Sequence, residues 1–114
     1  MTDDQVRHRF LSQLTEDYTG LWELTGTTGL PPLGELIRIL DGLVKDGLVG
    51  IYVGSKFTSE ERMLSADEAR RSIHNQAFWE WSAPERGEHI RAFATPSGAD
   101  LYIGNRSQSG RILS

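Results

Sequence analysis

The sequence predicts an α+β domain: three N-terminal helices, a small antiparallel sheet, and a further helix inserted between the strands of that sheet. Hydrophobic residues recur at helical spacing over residues 6–18 and 33–44, which indicates amphipathic helices. A strand-like run of aliphatic residues follows directly at 48–53, and a second strand pattern occupies 90–95. Between these two strands, a helix-capping motif begins at residue 65.

The first two helices are predicted from a capping motif and two apolar stripes. Thr2 and Gln5 have the spacing of a capping box, in which each side chain accepts from the other residue's backbone N–H. An apolar residue then recurs every four positions over 6–18, on one side of a helix. A shorter stripe over 18–25 predicts a second helix, which ends where glycines and threonines follow.

The strongest pattern in the chain predicts a helix that stops at a glycine and continues as a strand. Its apolar residues have the i, i+3, i+4 spacing of a helix laid on a core. They are Leu33, Leu36, Ile37, Leu40, Leu43 and Val44. Gly47 lies where a left-handed C-terminal cap is expected, and residues 48–53 predict a strand bounded by Gly54.

The second half of the chain contains a predicted loop, a helix and a strand. Residues 54–64 are polar and predict a loop. Ser65 and Glu68 form a second capping box, and the helix that begins there is predicted to run to about Ala77. Residues 90–95 predict the strand that follows this helix.

Residues 95–98 have two structural interpretations. Their Thr-Pro-Ser-Gly order is typical of a hairpin turn, which would lead into a strand at 101–103. Alternatively, Thr95 caps a short final helix that has Pro96 in its first turn.

Length and composition limit the class of protein. We predict one domain over residues 1–104 and a flexible C-terminal tail over 105–114, which is small, polar and glycine-bearing. The absence of cysteine excludes disulfides, thiolate zinc sites and a cysteine nucleophile. A net charge of −4 counts against nucleic-acid binding, which relies on cations. An acidic start and the lack of an apolar run of ~20 residues predict a cytoplasmic protein without membrane contact.

The order of the predicted elements resembles the winged helix-turn-helix superfamily. Residues 3–53 have its helix, short helix, turn, amphipathic helix and strand, and residues 33–53 look like its third helix running into a wing strand. Residues 93–98 look like the second wing strand followed by a terminal helix, which favours the helical interpretation of Pro96. The connection over 54–89 departs from the superfamily, because ordinary wings are short.

This resemblance implies a DNA-binding transcriptional regulator whose third helix enters the major groove of duplex DNA. Arg38 would read a base edge, and Lys45, Arg7 and Arg9 would contact phosphates. Acidic residues on the same helix face would repel those phosphates. From the residues alone, a solvated helix face is the simpler interpretation of this surface.

The alternative function is a protein-interaction module that forms a dimer, or binds as an inhibitor-type partner, and does not bind DNA. The aromatic segment 78–81 supports it, because aromatic side chains are enriched among interface hot spots. Trp79 and Trp81 point to one side if this segment is extended and diverge if it is helical. The same rings can close the core, which we expect for at least two of Phe78, Trp79 and Trp81.

We predict no enzymatic activity, no cofactor and no metal site. The chain contains neither the Gly-x-Ser-x-Gly motif of hydrolases nor a glycine-rich phosphate loop. His8, His74 and His89 lack the i, i+3 or i+4 spacing that puts two ligands on one helix face. We therefore interpret them as surface or core histidines.

Overall fold

The structure, a computed structural model, describes residues 2–16, 18–25, 31–55, 58–80 and 87–113. Within these ranges the chain is α+β, as predicted, with five α-helices, one 3₁₀ helix and a four-stranded antiparallel sheet. The elements are α1 Asp3–Glu16, β1 Thr19–Gly20, α2 Leu21–Leu24, α3 Leu33–Lys45, β2 Val49–Ser55, β3 Thr58–Met63, α4 Ala66–Ile73, the 3₁₀ helix Gln76–Trp79, β4 Glu88–Ala94 and α5 Pro96–Leu113.

The N-terminal capping box forms as predicted. The Thr2 N–H donates to Gln5 Oε1 at 2.8 Å, and the Gln5 N–H donates to Thr2 Oγ1 at 3.2 Å. This pair satisfies two of the backbone donors that the start of α1 leaves free. The second predicted helix is confirmed as the single turn α2, and β1, which the sequence pattern did not predict, precedes it.

The predicted transition from helix to strand at Gly47 is confirmed. Gly47 has φ 75°, in the left-handed region. Its N–H donates to the Val44 carbonyl at 3.0 Å, and the Leu48 N–H donates to the Leu43 carbonyl at 3.0 Å. These two bonds form a Schellman cap. They end α3 and direct the chain into β2 with the apolar face of the helix on the core.

The sheet has the strand order β1-β4-β2-β3. Strands β2 and β4 pair antiparallel over their whole length, from Val49 opposite Ala94 to Ser55 opposite Glu88. The prediction of a loop over 54–64 is wrong, because β3 occupies Thr58–Met63 and pairs with β2. An edge strand needs only one neighbour and is often charged, so β3 lacks the alternating apolar pattern that identifies a strand.

The Ser65 capping box is confirmed, and the helix that it begins is shorter than predicted. The Glu68 N–H donates to Ser65 Oγ at 3.2 Å, and the Glu68 side chain accepts from the Ser65 N–H. Helix α4 ends at Ile73 rather than near Ala77. The reason is Asn75, whose side chain accepts from the Ala77 N–H at 3.1 Å and starts the separate 3₁₀ helix.

The two interpretations of residues 95–98 are decided in favour of a helix. Thr95 Oγ1 accepts from the Gly98 N–H at 3.2 Å, and it donates to the Gly47 carbonyl at 2.7 Å. Pro96 then occupies the first position of α5. A Cβ at Gly98 would collide with the Leu48 carbonyl oxygen, so glycine lets α5 start close to β2. The flexibility of residues 105–114 stays a prediction.

The helices cover one face of the sheet. Ile51, Ile90 and Ala92 are fully or almost fully buried on this face, together with Leu40 and Leu43 of α3. No helix in the described ranges is both long enough and apolar enough to cross a bilayer.

Candidate interaction surface on the sheet

Arg38, the predicted base reader, is held by two carboxylates. Its Nη2 lies 2.9 Å from Asp3 Oδ2 and 2.6 Å from Glu35 Oε2. Hydrogen bonds to Glu35 and then Asp3 raise the pKa of Arg38 above its ordinary value. The two carboxylates use the donors that would grip a base edge, and they place negative charge beside them.

The other predicted DNA contacts are spread over α1 and the end of α3. Arg7 Nη2 lies 3.8 Å from Asp46 Oδ2, so this side chain also faces a carboxylate. Arg9 is exposed and lies two residues farther along α1, which turns it about 200° around the helix from Arg7. Lys45 is exposed in the last turn of α3.

A polar cluster joins α3 to α4. Arg70 Nε and Nη2 donate to the two oxygens of Asp41 at 2.9 and 3.1 Å, and His74 Nε2 lies 3.4 Å from Asp41 Oδ1. The hydrogen bonds from Arg70 contribute most to lowering the pKa of Asp41. The cluster borders an open depression of ≈ 500 Å³, which Asp67 and Arg71 also line. Because both Asp41 oxygens are occupied, we interpret the cluster as a clamp between the helices.

The predicted interaction residue Trp79 lies in the core. It is only 3% exposed, and its indole N–H donates to the Ile73 carbonyl at 2.8 Å. The structure therefore gives Trp79 no open surface for a partner, and its assignment to an interface stays a prediction. Trp81 lies outside the described residues. Phe78 is partly buried against the core.

The histidines lie in three different places. His8 on α1 packs against the Tyr102 ring at 5.1 Å, His74 is part of the α3–α4 clamp, and His89 lies on β4. Among the described residues, no group of three His, Asp or Glu side chains could hold a metal ion.

The outer face of the sheet, opposite the helices, carries an organised set of side chains that the sequence analysis did not identify. Successive side chains of a strand point to opposite faces. Since Ile51 points into the core, its neighbours Gly50 and Tyr52 point outward. On β4 the outward residues are His89, Arg91 and Phe93, which lie opposite Gly54, Tyr52 and Gly50 respectively.

Three glycines allow rings to lie flat on this face. A Cβ at Gly50 would collide with the Phe93 ring, and one at Gly20 would collide with the Trp22 ring. A Cβ at Gly54 would approach His89 Nε2 to 3.1 Å. A ring laid over a glycine on the neighbouring strand is a known device for stabilising a sheet.

We name the apolar part of this surface the aromatic face and define it as Tyr18, Tyr52, Phe93 and Met63. The ring centroids are 5.5 Å apart for Tyr18–Tyr52, 5.3 Å for Tyr18–Phe93 and 4.9 Å for Tyr52–Phe93. Tyr18 is 48% exposed and Met63, opposite Tyr52 on β3, is 54% exposed. Tyr52, and to a smaller extent Glu61, raise the pKa of Tyr18. The aromatic face therefore presents stacked, partly exposed rings with one carboxylate nearby.

Two polar side chains of β4 adjoin the aromatic face. The Nε of Arg91 and the Nδ1 of His89 are shielded from solvent and have no hydrogen-bond partner within the described part of the chain. The Trp22 ring stands edge-on to His89, with centroids 5.6 Å apart. Buried polar atoms normally have partners, so two unsatisfied nitrogens on one strand mark this part of the outer face as unusual.

The alternation Gly50-Ile51-Tyr52-Val53-Gly54 was the available signal for this surface. It places two glycines and one tyrosine on the same side of a strand, but the rings that cover the glycines come from β4. Searches of protein-family models, curated proteins and solved structures gave no match to the chain. The case for a function therefore rests on the chain's own residues.

Proposed function

We propose that this protein is a non-catalytic binding module that recognises another protein through the aromatic face. The observation that carries the proposal is the Tyr18–Tyr52–Phe93 stack on the outer face of the sheet, with Met63 exposed beside it. Aromatic and methionine side chains are enriched in protein interfaces, and flat rings bury much area with little loss of side-chain freedom.

The charge around the aromatic face favours a protein over a nucleic acid. Bases do stack on aromatic side chains of open sheets, but their phosphates need nearby cations. Arg91 brings one positive charge to this face. Glu61 opposes it, being close enough to Tyr18 to raise the Tyr18 pKa, and the whole chain carries a net charge of −4. Both the Glu61 carboxylate and the negative net charge of the chain would repel a phosphate backbone on this surface.

The outer face of the sheet is better suited to a partner than its edges. The edge strand β1 is two residues long, and the other edge, β3, reads Thr-Ser-Glu-Glu-Arg-Met. Short and charged edge strands discourage the addition of a further strand. We therefore place the partner on the outer face rather than in a continued sheet.

Site-specific photo-crosslinking tests the proposal. A p-benzoylphenylalanine at position 63 should give a defined adduct with a second protein in the cells that produce this chain. The matched control carries the same group at Ile103 of α5, which has the same exposed fraction of 54% as Met63. Identical products from the two positions, or no adduct at position 63, would refute the assignment of this surface.

A winged-helix DNA regulator is the second candidate. It is supported by the pairing of β2 with β4, the two strands that the resemblance assigns to the wing, after three N-terminal helices. The carboxylates on Arg38 and the clamp between Asp41 and Arg70 count against it, because both occupy the helix that would read DNA.

Gel mobility with duplex DNA separates the two candidates. A DNA regulator would shift the duplex at low salt, lose affinity steeply as salt rises, and bind less well after Arg38→Ala. Arg71→Ala, which removes an exposed arginine of α4, is the matched control. Under our proposal neither the wild type nor either variant shifts the duplex. A shift by the wild type that Arg38→Ala weakens and Arg71→Ala does not would favour the regulator instead.

A further inference from the structure

Arg91 is a partly buried arginine without an ion pair among the described residues, whereas Arg9 and Arg71, which also have none, are exposed. Arg7, Arg38, Arg62 and Arg70 each lie within 4.0 Å of a carboxylate oxygen. No described carboxylate lies within that distance of Arg91, and its Nε is buried without a partner. Its guanidinium therefore carries a positive charge that no described carboxylate balances.

The strand register places Arg91 in the middle of the outer face. It lies opposite Tyr52 of β2 on one side and opposite Gly20 of β1 on the other. The ring of Trp22 occupies the space over Gly20. Arg91 therefore lies between the Tyr52 ring and the Trp22 ring. These apolar neighbours weaken the hydration of the guanidinium and strengthen any ion pair that it makes.

His89 adds a second unpartnered group on the same side of β4. Residues two apart in a strand share a face and lie about 7 Å apart, so one ligand on the outer face could contact both His89 and Arg91. The Nδ1 of His89 has no partner among the described residues, while its ring packs over Gly54 and against the edge of Trp22. The packing holds the imidazole in place beside the partly exposed Arg91 side chain.

We propose that Arg91 and His89 form an anchor for a carboxylate, and that the partner is an acidic protein segment with an apolar or aromatic side chain beside its acidic one. This inference rests on the proposed function and names the chemistry of the partner. The carboxylate accepts from the Arg91 guanidinium and from His89, and the neighbouring side chain covers Tyr52 and Phe93. Charge-assisted bonds of this kind give orientation as well as affinity.

A second copy of this chain fits the anchor less well than an acidic segment does. If two copies docked face to face about a two-fold axis near Arg91, the Arg91 side chains of the two copies would approach each other. Like charges brought together in a partly buried interface oppose association. An acidic partner avoids this repulsion, and its carboxylate balances the charge of Arg91.

A pair of small probes tests the anchor on the whole protein. Phenylacetate carries a ring and a carboxylate, whereas phenylacetamide carries the same ring and a neutral amide. In ¹H–¹⁵N NMR titrations we expect both to shift backbone signals of β2 and β4, with phenylacetate binding at least about tenfold more tightly, the size of effect that a charged hydrogen bond gives.

Variants assign the preference to the anchor. Arg91→Gln should remove the preference for phenylacetate and leave the affinity for phenylacetamide unchanged. Arg91→Lys keeps the charge and should keep part of the preference, and it also controls for a folding defect in Arg91→Gln. Arg71→Gln removes an exposed arginine elsewhere and should change neither affinity.

The outcomes separate the anchor from the proposed function. Equal affinities for the two probes, or shifts confined to α3 and α4, would overturn the anchor, even if crosslinking at Met63 finds a partner. A carboxylate preference without any crosslinked partner would support the anchor and overturn the protein partner. Dimerisation in sedimentation velocity that Glu61→Gln abolishes would overturn the acidic partner and identify a second copy instead.

Discussion

The surface formed by α1 and α3 and the outer face of the sheet both carry arginine, and they use it differently. On α1 and α3, Arg38 and Arg7 are paired with acidic residues of the same chain. On the sheet, Arg91 has a buried nitrogen with no partner among the described residues, and it lies among rings. Two arginines of the first surface are thus neutralised within the chain, whereas Arg91 is not paired with any carboxylate in the described ranges. We therefore take the missing ion pair of a partly buried arginine, rather than the presence of an arginine in the sequence, as the indication of a binding site.

The two faces of β2 show the same contrast along a single strand. Ile51 is fully buried under the helices, whereas its neighbour Tyr52 faces outward in the ring stack. Shortening a side chain on the core face should therefore cost stability, whereas shortening one on the outer face should mainly affect binding. The following predictions test that division, beginning with the largest expected effect on the free energy of unfolding.

Ile51→Ala should lower the free energy of unfolding by about 3–4 kcal/mol, because it removes a fully buried side chain and leaves a cavity. Tyr52→Ala, one residue away on the outer face, should cost clearly less. Urea denaturation of both variants followed by circular dichroism measures the difference. Similar losses from the two substitutions would show that the outer face also functions as core.

Gly50→Ala should cost about 1–2 kcal/mol of stability, because the new methyl group collides with the Phe93 ring and forces it away from the sheet. Gly34→Ala is the matched control, since nothing lies within 4 Å of its Cβ position in α3 and alanine favours helix. That control should gain up to about 1 kcal/mol. Denaturation midpoints distinguish the two signs, and a neutral Gly50→Ala would mean that Phe93 does not need the flat site.

Part of the fold could be predicted from the sequence, because some of its contacts join residues that are close together along the chain. The transition from α3 to β2 at Gly47 and both capping boxes depend on residues a few positions apart. Strand β1 and the ion pair between Arg38 and Asp3, which are 35 residues apart, depend on tertiary pairing.

The outer face falls between these cases. Gly50 and Tyr52 show in the sequence that one side of β2 is unusual, but Phe93 reaches Gly50 only through the register of β2 with β4. The sequence could not show that Arg91 pairs with no described carboxylate, because ion pairing depends on the whole fold.

Asp41→Asn should lower stability at neutral pH by up to about 1 kcal/mol, since it weakens the partly exposed clamp to Arg70. The pKa of Asp41 is lower in the folded chain than in the unfolded chain. Its stabilising contribution is therefore complete above the unfolded pKa, about 3.9, and is lost as the pH falls through the lower folded pKa. Urea denaturation at neutral and acidic pH should show the gap between wild type and variant closing in acid.

The control for this pH dependence is Asp46→Asn. Its carboxylate faces Arg7 at 3.8 Å in an exposed pair, so the loss at neutral pH should be smaller than for Asp41→Asn. A gap for Asp41→Asn that stays constant down to strongly acidic pH would mean that the charged clamp is not what this carboxylate contributes.

Met63→Ser should change the free energy of unfolding by less than about 0.5 kcal/mol, because a side chain that is 54% exposed in the folded chain loses little packing when it is shortened. It should nevertheless reduce crosslinking from a p-benzoylphenylalanine placed at Tyr18, which shares the aromatic face. Ile103→Ser removes an equally exposed apolar side chain from α5 and should leave that crosslinking unchanged. Equal reductions by the two serines would attribute the effect to exposed apolar area in general. A reduction by Met63→Ser alone ties partner binding to the outer face of the sheet, because the loss of binding then occurs without a loss of stability.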